Sequence, residues 1–457
     1  MGGLNASLLI GLQALDATQG ALEATSNNIA NVNTPGYTRE VALFSENGQN
    51  QSGNEVTGGG VELDGLQSIR DELLNIQIQQ QTSLQSSADT QSSSLQQVQT
   101  FFASNGNNIA SELTAFSSSL AQLSASPGGP AEQSVLSSGQ NLAGAFNTTA
   151  QGLAAAQSGA DQQVTQTVAQ INSLTQQIAQ LNGKLQQVPA ADSGGTPQDQ
   201  LDQLVQQLSG LTGISITQGS DGETITTANG TPLVMGGQSF NLQTTTGTDG
   251  FKQVLDSNGN NITSSIQGGA LGGAIEVRDQ VIPGFQSQLN TLASQFATAF
   301  NAAQAQGFDS NGNAGGNFFT VPSNPNAAAA GISVAITNAS QIAVSSDGSA
   351  GSNGNVANLS AALTNTLPSG QSPANSYASL VFQVGNAASN ASTQSTAIGQ
   401  NLTQLTNQQG AVSAVDINEE TTNLMRYQAA YEAASRIVST IQVLDNATLN
   451  MGSGTSF

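Results

Sequence analysis

Residues 4–32 of the chain read LNASLLIGLQALDATQGALEATSNNIANV, and this stretch decides how the two ends of the molecule fold. Its seam of large apolar side chains recurs at every seventh position: Leu8, Leu15, Leu22 and Ile29. Such a repeat places a narrow apolar seam on one side of an α-helix. Because a narrow seam buries little area by itself, this helix needs a partner helix.

The last stretch of the chain, residues 417–450, carries a matching pattern. Its apolar seam consists of Ile417, Leu424, Tyr431 and Val438, joined by Tyr427 and Ile441. We therefore predict that the N- and C-terminal helices pair as a coiled coil. We also predict that both seams pack against neighbouring copies in an assembly. Since a lone chain would cover these seams poorly, we expect assembly to order its ends.

The charge balance excludes several classes of partner. The chain has 7 Lys and Arg against 29 Asp and Glu, a net charge of −22. Binding to nucleic acid or to an anionic membrane depends on Lys and Arg, so neither partner is expected. No segment approaches the roughly 20 apolar residues of a membrane span. The chain contains no Cys or His, which excludes disulfides, thiol or imidazole catalysis and Cys/His zinc sites.

Between its ends the chain reads as a mainly α protein with a β insertion. Helical periodicity dominates residues 37–212 and 268–415, which predict a middle domain built as a helical bundle with some strands. Short alternating runs between turn signals at residues 213–267 predict a small outer β domain. Residues 1–36 and 416–457 form the predicted terminal coiled-coil domain. Polar composition makes the cores thin, so we expect an elongated multidomain protein.

Local signals set the expected boundaries. Pro35 and Gly36 end the first helix and are the predicted bend out of the terminal domain. Helical periodicity returns at about residue 66 and again at 275. The glycine-rich residues 268–273 are neither a P-loop nor a dinucleotide fingerprint, and we interpret them as a hinge. The last helix should span 417–450 and be followed by a loose tail.

The start of the last helix carries a further signal. Asp416 followed by Glu419 fits a capping box, in which each side chain bonds a free backbone N–H of the first turn.

The sequence gives only weak signals for a metal site or a catalytic group. Residues 256–260 and 309–313 resemble the start of a calcium loop, but each lacks the glycine at the sixth position and the acid at the twelfth. Polar turns are the favoured interpretation. The adjacent acids Glu419 and Glu420 point away from each other on a helix, and so do Asp71 and Glu72. We therefore predict no catalytic residue, no metal site and no cofactor.

The arginines have two interpretations of nearly equal weight. They are Arg39, Arg70, Arg278, Arg426 and Arg436. Ordinary surface charge is one interpretation. The other is specific pairing with carboxylates, within the molecule or between subunits, since so few bases face so many acids.

Residues 26–39, SNNIANVNTPGYTR, resemble the N-terminal signature of the bacterial flagellar axial proteins, the rod, hook and hook-associated families. Residues 418–436, NEETTNLMRYQAAYEAASR, resemble their closing helix, and the form of 424–428 is most similar to that of hook-associated proteins. Residues 272–319 are also similar to the hook-associated family, with Arg278 and Asp279 opening a helix. The insertion at 213–267 is short for that family, which implies that a second outer domain is missing.

This resemblance implies a structural protein of the flagellum that joins hook to filament by helical self-assembly through its terminal helices. The implied partners are further copies in a helical ring, the hook protein below, and a second junction protein or the filament above. An export chaperone would bind the C-terminal helix. The first 38 residues contain no Lys or Arg, so we expect export to the cell exterior without a cleaved signal peptide.

Three alternatives stay open at this point. Another axial protein, such as the hook protein itself, would share both terminal signatures. A rod-associated peptidoglycan hydrolase would need a compact domain with convergent acids. A secreted adhesin would use the acidic β insertion.

Overall fold

The computed structural model describes residues 2–48, 50–52, 55–102, 108–187, 195–219 and 222–453. These residues are mainly helical, as predicted, with small antiparallel sheets. The helices are α1 (Gly2–Asn31), α2 (Glu72–Phe102), α3 (Ile109–Ala125), α4 (Gly129–Leu185), α5 (Thr196–Leu211), α6 (Gly269–Glu276), α7 (Ile282–Gln304), α8 (Ala328–Gly331), α9 (Val356–Thr364), α10 (Pro373–Ser413) and α11 (Ile417–Ser453). No helix in the described ranges combines the length and apolar character needed to cross a bilayer.

The strands are short. They are β1 (Glu40–Glu46), β2 (Asn50–Ser52), β3 (Glu55–Thr57), β4 (Val61–Ser68), β5 (Ile214–Gly219), β6 (Gly222–Thr227), β7 (Pro232–Met235), β8 (Gln238–Ser239), β9 (Gln243–Thr246), β10 (Lys252–Leu255), β11 (Phe319–Thr320) and β12 (Ser333–Val334). Strands β5 to β8 form a four-stranded antiparallel meander, and the others form two-stranded pairs: β1 with β4, β2 with β3, β9 with β10, and β11 with β12.

The chain divides into two compact units. The first comprises Met1–Thr82, Gln170–Leu242 and Gly399–Phe457, and the second comprises Ser83–Ala169 and Gln243–Ile398. Strands β5 to β8 belong to the first unit, whereas β9 and β10 belong to the second. The inserted segment therefore contributes to both units. Its role as an outer layer concerns an assembled structure and stays a prediction.

In the first unit, α1 packs along α11 and against the hairpin of β1 and β4. The terminal helices therefore pair, as the two heptad patterns predict. The expected helical start near residue 66 is wrong, because β4 continues to Ser68, which pairs with Glu40 of β1. Backbone pairing with β1 holds these residues extended, and α2 begins at Glu72.

The second unit has an aromatic core. Six phenylalanines are fully buried and lie in mutual contact: Phe116, Phe146, Phe296, Phe300, Phe318 and Phe319. Ring centroids of Phe116 and Phe300 are 5.1 Å apart, and those of Phe318 and Phe319 are 4.7 Å apart. Aromatic rings bury more area than any other side chains, so this cluster supplies much of the unit's stability.

Two boundary expectations are corrected. Residues 269–273 open helix α6, so they are not a hinge, and a Cβ on Gly273 would come within 2.6 Å of the Ser87 carbonyl oxygen. These glycines therefore allow close helix packing. Helix α11 continues to Ser453, so the helix includes part of the expected tail. Residues 454–457 lie outside the described ranges.

Candidate functional site

The terminal helices run antiparallel and in close contact. Near one end of the contact, Gly11 lies beside Val438, and a Cβ on Gly11 would come within 2.8 Å of the Val438 Cγ2 atom. Near the other end, the Asn28 Nδ2 group donates a hydrogen bond of 3.2 Å to Glu420 Oε2. The two ends of the chain therefore meet along most of α1.

The most deeply buried apolar residues of α1 are small. Ala17, Ala21 and Ala24 are almost fully buried, whereas the leucine seam is half-buried. The β1–β4 hairpin packs so closely on α1 that a Cβ on Gly20 would overlap the Leu63 side chain. Helix α1 thus lies between the hairpin and α11, and its small residues let the hairpin approach.

The ten predicted interface residues differ in burial. Six are half-buried: Leu8, Leu15, Leu22, Ile29, Leu424 and Tyr427. Val438 and Ile441 are buried, each 8% exposed, while Ile417 and Tyr431 are 51% and 39% exposed. The two buried residues hold α11 within the chain. Contact of any of the ten with a neighbouring copy stays a prediction.

Pro35 and Gly36 form the turn that follows α1. The Tyr37 amide donates to the Thr34 carbonyl at 3.2 Å, and Gly36 has a φ of +77°. A proline at the second turn position and a left-handed glycine at the third are typical of a type II turn. The side-chain Nε2 group of Gln203 donates a hydrogen bond of 2.7 Å to the Pro35 carbonyl, and this bond ties the turn to α5. Whether this turn sets a bend between layers of an assembly stays a prediction.

Asn28 is fully buried and joins three segments. Its Nδ2 group donates to the Glu40 carbonyl at 2.8 Å and to Glu420 Oε2 at 3.2 Å. Its Oδ1 atom accepts from the Tyr37 hydroxyl at 2.8 Å and from the Glu40 amide at 2.9 Å. An asparagine side chain has two donors and two acceptor positions, and all are used here. We call Asn28, Tyr37, Glu40 and Glu420 the Asn28 network.

Arg39 fastens the same region to the start of α11. Its Nη1 atom lies 2.7 Å from Glu419 Oε1, and its backbone amide donates to the Ser413 carbonyl at 2.9 Å. The expected capping box is therefore only half correct. Asp416 accepts a hydrogen bond of 2.8 Å from the Asn418 amide, but Glu419 turns to Arg39, because an ion pair with a guanidinium is stronger than a neutral cap bond.

Arg70 follows β4 and binds two acids of α5. Its Nη2 atom lies 2.6 Å from Asp199 Oδ1, and its Nη1 atom lies 3.2 Å from Asp202 Oδ2. The other oxygen of Asp199 accepts a bond of 3.0 Å from the Thr38 amide. Burial raises the pKa of Glu40, and the charge of Asp199 raises it further. Burial likewise raises the pKa of Asp202, and the positive charge of Arg70 partly offsets this increase.

Glu223 lies at the far side of this acidic region. Burial, and then the charge of Asp202, raise the pKa of Glu223 to about 7. Gln198 donates to Glu223 Oε1 at 3.4 Å, whereas the buried Oε2 atom has no hydrogen-bond partner. A cavity of about 200 Å³ opens beside it, lined also by Asn182 and Leu201. The carboxyl group is therefore partly protonated near neutral pH.

The remaining arginines also contact specific groups. Arg278 is 2% exposed and binds Asp161 at 2.8 Å and Asp279 at 2.6 Å, within a π-helical turn at Val277–Val281. Arg436 pairs with Glu432 on the surface of α11. Arg426 stacks on Tyr427, with its guanidinium carbon 4.9 Å from the ring centroid. Specific pairing is therefore correct for Arg39, Arg70 and Arg278, whereas Arg436, whose side chain is 78% exposed, fits ordinary surface charge.

The two calcium-like segments form polar turns. Asp256 Oδ1 accepts bonds of 2.8 Å from the amides of Asn258 and Asn260, and Asp309 Oδ1 accepts equivalent bonds from Asn311 and Asn313. These carboxylates are directed onto their own backbone. Among the residues that the structure describes, no three acids gather in a way that could hold a metal ion.

The first unit thus presents a pair of terminal helices. Buried polar contacts hold them together where the end of α1 meets the start of α11, which we call the lower end of the pair. Periodicity could not identify Asn28, because Glu420 lies 392 residues away along the chain. Arginine scarcity was the signal that pointed towards Arg39 and Arg70. Such an arrangement can hold two helices at a fixed angle and offer their outer faces to other molecules.

Comparisons with known proteins agree with this organisation. Residues 95–319 match the family model of the flagellar hook-associated protein FlgK helical domain. Residues 8–38 match that of the flagella basal body rod protein, and residues 408–451 that of the flagellar basal body rod FlgEFG protein C-terminal region. The three matches cover both terminal helices and much of the second unit.

Individual relatives match over nearly the whole chain. Flagellar hook-associated protein 1 of Bacillus subtilis (strain 168) is 30% identical, with 97% of each chain covered. The protein of the same name from Escherichia coli (strain K12) is 26% identical, with 96% of this chain and 98% of that chain covered. The flagellar hook junction protein FlgK from Burkholderia pseudomallei has a similar fold, with a TM-score of 0.67 over 74% of this chain and all of that chain, at 19% identity.

Proposed function

Since this chain belongs to the flagellar hook-associated protein 1 family, we propose that its copies form a helical ring between hook and filament, joined through α1 and α11. The chain is a structural component of the flagellum at the hook–filament junction. The hook protein would lie below the ring, and a second junction protein or the filament above it. The relatives' names favour this function over a hook protein or a wall hydrolase, and a purely structural role without catalysis is part of the proposal.

The observation that carries the proposal is the apolar surface left on the paired terminal helices. The exposed side chains are Leu9, Leu12, Met425, Ile437, Val443, Leu444, Leu449 and Met451. Val443 is 68% exposed and Met451 is 70% exposed. Exposed apolar side chains concentrated on one element mark interaction surfaces. The ten predicted interface residues would add their exposed edges to this surface.

The polar contacts at the lower end explain why the surface could work as a unit. Asn28, Arg39 and Glu420 fix α1 to α11 before any neighbour arrives. A partner surface that is already in its bound shape loses less entropy on association. Contacts between unlike faces of identical subunits continue around a helix or close into a ring. These features support a ring built from helix pairs that are already formed in the single chain, and this replaces the expectation that assembly orders the ends.

The proposal also covers how the protein leaves the cell. We propose passage to the cell exterior through the flagellar export route, without a cleaved signal peptide and with a chaperone that covers α11. The exposed apolar residues Val443, Leu449 and Met451 give a chaperone a reason to bind there. Co-purification of candidate chaperones with the full chain, compared with the Val443→Gln variant, would test this contact.

Reconstitution tests the main proposal. Purified full-length protein is added to isolated hooks. Electron microscopy then gives the fraction of hooks that carry a cap of this protein and the fraction of capped hooks to which filament attaches. We expect wild-type protein to cap hooks and Val443→Gln with Leu449→Gln to cap far fewer. Phe382→Gln is the matched control, because Phe382 is also 68% exposed but lies on α10. Equal capping by all three proteins, or none by the wild type, would overturn the proposal.

A further inference from the structure

Helix α1 carries an exposed stripe that the pairing with α11 does not use. Its members are all exposed and follow a spacing of three and four residues: Leu9, Leu12, Asp16, Gln19 and Glu23. Residues at this spacing lie on one face of a helix. The face is apolar towards the start of α1 and acidic towards its end. Helix α1 contains no basic residue, so this charge is not balanced on its own helix.

Helix α11 carries a second exposed stripe of opposite character. Its members follow the same spacing: Arg426, Ala430, Ala433, Ile437, Thr440 and Leu444. A base lies near the start of this stripe, apolar side chains lie towards its end, and two alanines lie between them. Small side chains in the middle of a helix face allow another helix to approach closely.

The antiparallel pairing sets these stripes at matching heights. Since Gly11 lies beside Val438 and Asn28 lies near Glu420, positions along the two helices can be compared directly. By this register Glu23 stands level with Arg426, and Leu12 stands level with Ile437. Two copies side by side at the same height would therefore oppose acid to base and apolar to apolar.

Arg426 has the free bonding capacity that such a contact needs. Arg39, Arg70, Arg278 and Arg436 each bind a carboxylate, whereas the described residues offer none to Arg426. Its side chain is held on Tyr427, and its Nη2 atom donates to the Tyr427 hydroxyl at 3.1 Å. A guanidinium has five N–H donors, so most remain for another acceptor.

The acids on α1 are equally available. Glu23 accepts a hydrogen bond of 3.0 Å from the neutral Gln19 amide. Neither Glu23 nor Asp16 forms an ion pair with any residue that the structure describes. In a chain of net charge −22, an approaching copy meets repulsion unless its few exposed bases face acids. Arg426 opposite Glu23 meets that condition.

Resting on the proposed function, we propose that the α1 stripe of one copy packs antiparallel on the α11 stripe of a neighbouring copy at the same height, with Glu23 binding Arg426. By the same register Leu12 lies against Ile437 of the neighbour, and Leu9 lies level with Thr440, about one helical turn from both Ile437 and Leu444. This contact is lateral and adds a defined register to the ring. The single base of the α11 stripe also sets the register, because Glu23 is the acid that stands level with Arg426 when two copies lie at the same height.

Cysteine cross-linking tests the register directly, since the natural chain has no cysteine. Full-length Glu23→Cys protein is mixed with full-length Arg426→Cys protein under assembly conditions and oxidised. A disulfide needs Cα atoms within about 7 Å of each other, so only a close match forms it. We expect a covalent heterodimer from this mixture. Glu23→Cys with Arg436→Cys, the matched control, should give little, because Arg436 lies on another face of α11.

Charge reversal supplies the second arm. We expect Glu23→Arg or Arg426→Glu to slow assembly about tenfold at low salt, and the double variant to recover most of the wild-type rate. Circular dichroism checks that each variant is folded. Normal assembly of Arg426→Glu, or no recovery in the double variant, overturns this register while leaving the proposed function standing. Failure of the wild type to assemble refutes the proposed function and this contact together.

Discussion

The second unit and the terminal helices use their apolar residues in opposite ways. The second unit buries six phenylalanines completely, whereas α1 buries alanines and the helix pair leaves Leu9, Val443 and Met451 exposed. Where the second unit relies on aromatic packing, the lower end of the helix pair relies on the Asn28 network and on Arg39. The difference separates a unit with an aromatic core from a helix pair whose large apolar side chains lie partly at the surface, where the proposed contacts with other molecules would form.

The largest effect should come from the aromatic core. Phe300→Ala removes a fully buried ring that lies 5.0 Å from Phe318 and 5.1 Å from Phe116. We expect a loss of about 3–5 kcal/mol in the free energy of unfolding of the second unit, measured by denaturant titration. Phe382→Ala, on an exposed site, should change it by less than about 0.5 kcal/mol. Similar losses of unfolding free energy in both variants would contradict the assignment of Phe300 to the core and of Phe382 to the surface.

The Asn28 network should give the next largest effect. Asn28→Ala leaves Tyr37 and Glu420 without their buried partner, which we expect to cost about 2–3 kcal/mol. Hydrogen exchange followed by mass spectrometry should show faster exchange in α1 and β1 and no change in the aromatic core of the second unit. The exposed Asn33→Ala is the control. Faster exchange spread evenly over both units would contradict the separate roles of the two regions.

Glu223 should make the stability of the first unit depend on pH. Its folded pKa of about 7 exceeds the usual value near 4.5, so the folded state binds the proton more tightly. Stability is therefore greatest at acid pH and falls as pH rises from about 4.5 to about 7.

Glu223→Gln should remove most of this fall, and the variant should be more stable than wild type by about 1–2 kcal/mol at pH 8. Thermal melts from pH 4 to pH 8 would measure it, with the exposed Glu62→Gln as control. Parallel curves for wild type and Glu223→Gln would refute the assignment.

The smallest effect on a single chain should come from the exposed helix face. Val443→Gln changes a side chain that is 68% exposed, so we expect the free energy of unfolding to change by less than about 0.5 kcal/mol. Assembly on hooks should nevertheless fall strongly. A loss of stability as large as that of Asn28→Ala would mean that this face is packed within the chain.

Much of the helical frame could be predicted from periodicity alone. The seams of α1 and α11 predict their pairing, which the structure confirms. The helical periodicity that returns at residue 275 predicts the region of α7, whose Phe285, Leu289 and Phe296 are buried in the structure. Resemblance of residues 26–39 to the axial proteins predicts the family, which the comparisons confirm.

The polar contacts could not be predicted. Bonds of Asn28, Arg39 and Arg70 join segments far apart in sequence, and no local pattern records which segments meet. The strand at 61–68 continued past the expected boundary because its partner strand, rather than its own periodicity, decides where it ends.

The central claim is that α1 and α11 are the surfaces through which copies join, and hydrogen exchange on assembly tests it most directly. Full-length protein would be compared before and after it caps isolated hooks. The account predicts strongly slowed exchange in residues 2–31 and 417–453, with little change in residues 109–125 and 282–304 of the second unit. Unchanged exchange in both terminal helices on capped hooks would contradict it.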